Sequence, residues 1–326
     1  MSEQARATRV LTQIDPRSWE HPADRATLNA LRKIPGFDEV LRKVFGFLQE
    51  KPTRLALLAS SVRVSETQYP RVHTLAREAA AVLDIPVPPV YVTQSPIYNA
   101  YAFGMEQPFV IINSALENAF DDDELRFVLA HEFGHIMSGH VLYLTMMRLL
   151  MALAQMGFPI VGLAARAVLM ALMEWHRKAE LSCDRAGILA VQDPGPGMRT
   201  MLKFAGGKPG GTNLEDFVRQ AEEYRTTGDT ADQVFKVLNL LGATHPFPVL
   251  RVAEMRAWFE SGAYERILAG DYKRRGDTDH PYADDVDAAA QSYAEAAKET
   301  FGGALDTAAD AARRVVDSFR SGFGRT

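Results

Sequence analysis

Along most of the chain apolar residues return every three or four positions, the period of a helix with one buried face. Between about Ala23 and Glu50 the recurring positions are Leu28, Leu31, Ile34, Val40, Leu41, Val44 and Leu48, interrupted at Pro35-Gly36. A second amphipathic helix is expected from Tyr69 to Leu83. After Pro86-Val87-Pro88-Pro89 the pattern changes. Val90-Tyr91-Val92 and Phe109-Val110-Ile111-Ile112 are β-branched and aromatic and predict short strands, with Asn99 to Gly104 extended between them. Leu125, Val128 and Leu129 open a further helical stripe just after Asp121-Asp122-Asp123-Glu124, whose carboxylates suit a helix N-terminus.

From Val141 to Met173 the chain turns strongly apolar, and Leu149 to Ala165 carries no formal charge. Gly157-Phe158-Pro159 divides it into arms short of the ~20 residues a spanning helix needs. A helical hairpin packed on the domain or on a second copy is the favoured expectation, ahead of a membrane-associated hairpin and a spanning one. Asp193-Pro194-Gly195-Pro196-Gly197 reads as a turn-rich break, and Gly206 to Gly211 as a flexible connection without the ending of a phosphate loop. Leu214–Arg225 and Thr230–Leu241 read as helices, Asp271 to Asp285 as a polar linker, and Asp287 to Phe319 as an alanine-rich accessory helix or arm. The fold expected is α+β and mostly helical, with a small antiparallel or mixed sheet. Its expected organisation is a helical region over 1–84, a core over 85–270 containing the hairpin 141–173, and a linker and tail over 271–326.

At 326 residues and 47% hydrophobic, the chain can bury a substantial core. A net charge of −5 supplies no basic footprint for nucleic acid. The one cysteine, Cys183, permits no intramolecular disulfide and reads as a small packing residue in a reducing compartment. The polar start, Met1-Ser2-Glu3-Gln4-Ala5-Arg6, leads into no apolar run, so a cytoplasmic protein is expected, at most held at the cytoplasmic face of a membrane.

The candidate chemistry is concentrated in His131-Glu132-Phe133-Gly134-His135. Residues four apart on a helix share a face, so His131 and His135 can aim two imidazoles at one metal ion. Glu132, about 100° round the axis, stands beside that point, where a carboxylate can take a proton from water. Two core histidines would be the bland alternative, but they would leave the adjacent glutamate unexplained. A catalytic zinc usually takes three protein ligands. His140 lies nine positions from His131, about 900° of rotation, hence on the opposite helix face, and reads as a polar cap near the helix end. Glu180 is the better third ligand: Glu180 and Asp184 are four apart, so one carboxylate can bind metal while the other accepts the spare N–H of a ligand histidine. Like charges at that spacing repel unless a cation lies near. Glu174 and His176 are rival ligands; of the two only His176 has an acid four residues on.

His131-Glu-Phe-Gly-His135 with Gly139-His140, followed by Glu180-x-x-x-Asp184, resembles the gluzincin metallopeptidases of the HtpX and CAAX prenyl endoprotease type. Asn99-Ala100-Tyr101-Ala102 is similar to the family's segment before the active-site helix, and Thr244-His245-Pro246 with Arg251 to its downstream Ser/Thr-His-Pro element. The resemblance spans roughly residues 85 to 260. It implies a catalytic domain there, one Zn²⁺ on His131, His135 and Glu180, Glu132 as general base and Asp184 orienting a ligand imidazole. It implies further that His245 donates to the oxyanion, that Asn99, Ala100 and Tyr101 lie at a sheet edge receiving an extended peptide, and that Arg251 orients the site or pairs with an acid. The activity implied is endopeptide-bond hydrolysis, in the setting of protein quality control. A catalytically silent zinc scaffold and a membrane-associated interaction protein, acting or self-associating through 141–173, are the alternatives from other classes.

Overall fold

The computed structural model describes residues 8–32, 37, 50–104, 107–155, 163–208, 210–226 and 245–277. The expected helix over 230–241, Thr244, the Gly157-Phe158-Pro159 break and the alanine-rich tail lie outside them, as does most of 33–49. In chain order the elements are α1 (Pro22–Leu31), α2 (Glu50–Ser60), β1 (Ser61–Arg63), α3 (Pro70–Val82), β2 (Val90–Thr93), β3 (Ala100–Phe103), β4 (Phe109–Asn113) and α4 (Ser114–Ala119). There follow α5 (Asp122–Met137), α6 (Val141–Gln155), α7 (Leu163–Val191), α8 (Pro194–Phe204), α9 (Leu214–Thr226), α10 (Pro248–Glu260) and α11 (Ala263–Ala269). The fold is mostly helical α+β, as the patterning predicts.

Four strands form one mixed sheet in the order β1-β2-β4-β3. β2 and β4 run parallel, Val90 opposite Val110, while β1 and β3 lie antiparallel at the two edges. One face of the sheet, through Val90, Val92, Val110 and Ile112, joins the main core with α3, α5 and the C-terminal half of α7. That core also takes in Leu11, Ile14 and Trp19 near the start, and Met255, Trp258 and Ile267 near the described end. The two ends meet, Asp15 N–H donating to the Lys273 carbonyl at 2.8 Å.

α5 begins as its acids predict. The Asp121 side chain accepts from Glu124 N–H, and the Glu124 carboxylate accepts from Asp121 N–H, a reciprocal cap on two otherwise unmade donors. α7 holds a difference from the expectation: the second hairpin arm and the Glu180 segment are one 29-residue helix. Its N-terminal half packs on α6 and α1, burying Tyr143, Met147, Leu150, Val168, Leu172 and Trp175 in a second cluster. Within the described residues no helix is long and apolar enough to cross a membrane.

α5 and α7 approach closely because two positions lack side chains. A Cβ on Gly187 would come within 2.6 Å of the Phe127 ring, and one on Gly134 within 2.9 Å of the Ala186 methyl. The expected break at 193–197 is instead the first turn of α8. Asp193 caps it by accepting from Gly195 N–H at 2.8 Å. Pro194 at the first position needs no amide donor, which is why a Pro-Gly run here starts a helix.

Candidate metal centre

α5 and α7 bring the separated motifs to one buried point. His131 Nε2 lies 3.4 Å from Glu180 Oε2 and His135 Nε2 lies 3.2 Å from Glu180 Oε1. One donor atom from each of the three residues falls within 4.8 Å of the others. The three side chains are almost fully buried, and Glu132 beside them is only 6% exposed. Two imidazole nitrogens and a carboxylate converging in a closed site form the mixed N/O donor set that suits a borderline divalent ion.

Each imidazole is braced through its other nitrogen. His131 Nδ1 is 3.1 Å from Asp184 Oδ1, and Asp184 in turn is held by Arg251, whose Nε donates to Asp184 Oδ2 at 2.8 Å and whose Nη2 donates to Oδ1. The same guanidinium reaches Glu180 Oε2 with Nη1 at 3.2 Å. His135 Nδ1 instead faces His140 Nδ1 at 3.2 Å, and His140 Nε2 faces Asp24 Oδ2 at 3.2 Å. Asp24 Oδ1 accepts from Trp175 Nε1 at 2.8 Å, and Oδ2 accepts from Ser182 Oγ at 2.6 Å.

The expected polar-cap role of His140 is thereby corrected. α5 ends at Met137, and Gly139 at φ +68° turns the chain back so that His140 N–H donates to the His135 carbonyl at 2.9 Å. With the helix ended, the rotation that would carry His140 to the far face does not accumulate, and its ring lies beside His135. Of the rival ligands, His176 does approach, its Nε2 2.9 Å from Glu180 Oε1, while Glu174 turns to Arg177 and Lys178. His245 Nε2 lies 3.9 Å from Glu180 Oε1, with its side chain 46% exposed. Cys183 is buried, its Sγ 3.7 Å from His140 Nδ1.

Electrostatics follow from this packing. Burial first, with the Glu180 carboxylate beside it, pushes the Glu132 carboxyl above the usual carboxylate range against the pull of His131 and Arg148. Burial also acts on Glu180, but His245, His131 and Arg251 outweigh it and hold Glu180 well below that range. Burial opposes charge on His131, yet Glu180 and Asp184 prevail and raise it to about 9; at His135 burial wins and the pKa falls well below the ordinary value.

β3 supplies the adjoining wall. Ala100 and Tyr101 pair with Ile112 and Ile111 of β4, and the Asn99 carbonyl accepts from Asn113 N–H at 3.0 Å. On the opposite edge of β3 the Ala102 N–H lies near enough to the Glu132 carboxylate to favour its charged form, and the Ala102 carbonyl accepts from Arg148 Nη1 at 2.6 Å. Arg148 also lies over the Tyr101 ring, 5.0 Å from its centroid. Arg148, Asp24 and Trp175 escape sequence reasoning. An arginine bounding an apolar run was the one visible signal for the first, and Asp24 and Trp175 lie within helical stripes with no spacing that links them to the motif.

Comparison with known proteins follows the same residues. The model of peptidase family M48 matches residues 66–259. The plastoglobule-localized metallopeptidase 48 of Arabidopsis thaliana chloroplasts is 34% identical over 266 residues, covering 79% of this chain and 77% of that protein. A protease HtpX homolog from Methanothermobacter thermautotrophicus is 35% identical over 85 residues, 26% of this chain and 33% of the relative. An HtpX homolog from Ralstonia nicotianae is 27% identical over 234 residues, 62% of this chain and 78% of the relative. No solved structure matches the chain. With the family model spanning most of the chain and both motif helices inside it, the chain belongs to peptidase family M48 and is a zinc metalloendopeptidase.

Proposed function

We propose that His131, His135 and Glu180 hold one Zn²⁺ and that Glu132 is the general base of the peptidase. The observation that carries this reading is the convergence of those three donors within 4.8 Å, from two helices, with the Glu132 carboxyl buried beside them. Zinc held by these donors would supply Lewis-acid chemistry, polarising a peptide carbonyl and making a water more acidic.

The chain's own groups do the rest. Glu132, whose pKa burial raises, accepts the proton of the attacking water and returns it to the leaving amine. The Ala102 N–H steers the Glu132 carboxylate toward β3, where an extended substrate pairs along Asn99, Ala100 and Tyr101. His245, half exposed at the rim, donates a hydrogen bond to the oxyanion that forms during attack. Asp184 and Arg251 fix the His131 ring through Nδ1, which leaves Nε2 turned toward Glu180 as a donor that would hold the metal. The relatives are named HtpX proteases and a plastoglobule-localized metallopeptidase, and a role in protein quality control at a lipid surface on the cytoplasmic side is the setting this reading favours.

The test is cleavage of casein, an unstructured protein, by the zinc-loaded chain beside Glu132→Gln. A loss of cleavage by ~10²-fold or more at unchanged zinc content is expected. Equal cleavage by both proteins would overturn the assignment of the base.

A further inference from the structure

We infer that Asp24 and His140 are positioning residues for the metal: through hydrogen bonds they set the proton on His135 that leaves its Nε2 free to bind zinc. The inference rests on the ligand set proposed above. Asp24 lies on α1, upstream of residues 66–259 that the family model matches.

Zinc on His135 Nε2 needs the lone pair of that nitrogen, so the neutral imidazole carries its proton on Nδ1. The partner the structure presents to His135 Nδ1 is His140 Nδ1 at 3.2 Å, which must then accept. A neutral His140 that accepts at Nδ1 carries its proton on Nε2, and that proton points at Asp24 Oδ2, 3.2 Å away. Asp24, 2% exposed, uses both oxygens as acceptors, Oδ1 from Trp175 Nε1 and Oδ2 from Ser182 Oγ, which leaves it no proton to offer His140. An ionised carboxylate only accepts. The chain Asp24–His140–His135 thus has a single proton arrangement compatible with metal.

The other contacts of the relay keep it in place. The edge of the His140 ring meets the Trp175 indole, centroids 5.3 Å apart, and Cys183 Sγ lies 3.7 Å from Nδ1. Trp175 Nε1–H also fixes which way an amide at position 24 would face. In Asp24→Asn the atom opposite Trp175 has to be the oxygen, because an indole N–H only donates, so the NH₂ faces His140 Nε2 and Ser182. His140 would then accept at Nε2 and carry its proton on Nδ1. That proton would oppose the one on His135, and the His135 proton would move to Nε2, where metal should bind.

The test is zinc affinity of the full-length protein, measured by competition with a chromophoric chelator. The cobalt(II) spectrum of each variant and the melting temperature of the metal-free forms are recorded alongside. Asp24→Asn is expected to weaken zinc binding by ~10- to 100-fold, the usual cost of losing a partner behind a ligand, and to alter the cobalt bands. His140→Leu and His140→Asn both lose the ring and its packing, but the Asn side-chain oxygen can still accept from His135 Nδ1–H. Zinc binding at least ~10-fold tighter in His140→Asn than in His140→Leu is therefore expected. Equal affinities of that pair, or Asp24→Asn within twofold of the unaltered chain, would overturn the inference while leaving the ligand assignment standing. An unaltered chain that fails to take up zinc would overturn both.

Discussion

The two imidazoles facing Glu180 are braced by unlike arms. His131 leans on a carboxylate, Asp184, that is itself paired with a guanidinium, so this arm is ionic and ends on α10. His135 leans on a second imidazole before any carboxylate is reached, and its arm ends on α1. The first arm lies wholly within residues 66–259 and the second crosses out of them. The contrast teaches that the paired imidazoles are held between α1 and α10, two helices far apart along the chain. The ionic arm contributes charge balance around Glu180, and the histidine arm contributes proton placement.

Glu180 is the point where the arms meet, so Glu180→Ala should break the comparison altogether. Zinc content should fall well below one per chain and cleavage should vanish, as metal analysis beside the casein assay would show. Next in size is Arg251→Leu, which strikes the ionic arm alone. It leaves the buried carboxylates of Asp184 and Glu180 to His131 without the guanidinium between them, and a loss of ~3–5 kcal/mol is expected in urea unfolding of the metal-free protein. A loss below ~1 kcal/mol would show that the guanidinium is not needed for charge balance.

Backbone approach sharpens the contrast further. Gly187 packs on Phe127, one turn before His131, and Gly134 packs on Ala186 and Cys183, beside the His135 arm. Gly187→Ala would drive a methyl into a ring and its backbone carbonyl, and should cost ~1–3 kcal/mol, more than Gly134→Ala, whose neighbour is a methyl. The reverse order in thermal melts would mean that the two helices separate more easily at the His131 end. Smaller again is the cap: Asp121→Ala removes the acceptor for Glu124 N–H and should cost ~1 kcal/mol, with zinc affinity unchanged.

The smallest effect concerns α1. His21 precedes it, donating its backbone N–H to Ser182 Oγ at 2.8 Å, and its ring is buried facing Glu254, with Arg185 and Lys178 nearby. Burial first, then Arg185, lowers its pKa against the pull of Glu254. The unfolded chain therefore takes up this proton before the folded one does. Stability should fall as pH drops below the ordinary histidine value of about 6.5, and His21→Gln should flatten that slope in melts recorded across the range.

How much of this was legible can be followed residue by residue. The pairing of His131 with His135 and of Glu180 with Asp184 is a property of helix spacing, and the reciprocal cap at Asp121 is a property of neighbours. Short strands at 90–93, 100–103 and 109–113 follow from local composition. The rotation argument fails for His140 because the helix ends at Met137, three positions short of it, with Gly139 in the left-handed region turning the chain back. The helix over Pro194–Phe204 was misread because Pro and Gly were weighed as breakers, whereas Pro194 occupies the one helical position that has no use for an amide.

What the sequence by itself determined is the chemistry available on each helix: which donors share a face, which acid stands beside them, and that an M48-type peptidase motif is present. Those are matters of a few residues and a fixed rise and twist. Which partner each imidazole meets through its second nitrogen, that Arg251 balances Glu180, and that Asp24 stands behind His140 were decided by the crossings of α1, α7 and α10. Such contacts join residues as far apart as 24 and 140, and only the burial of two apolar clusters on opposite ends of α7 brings them within hydrogen-bond reach.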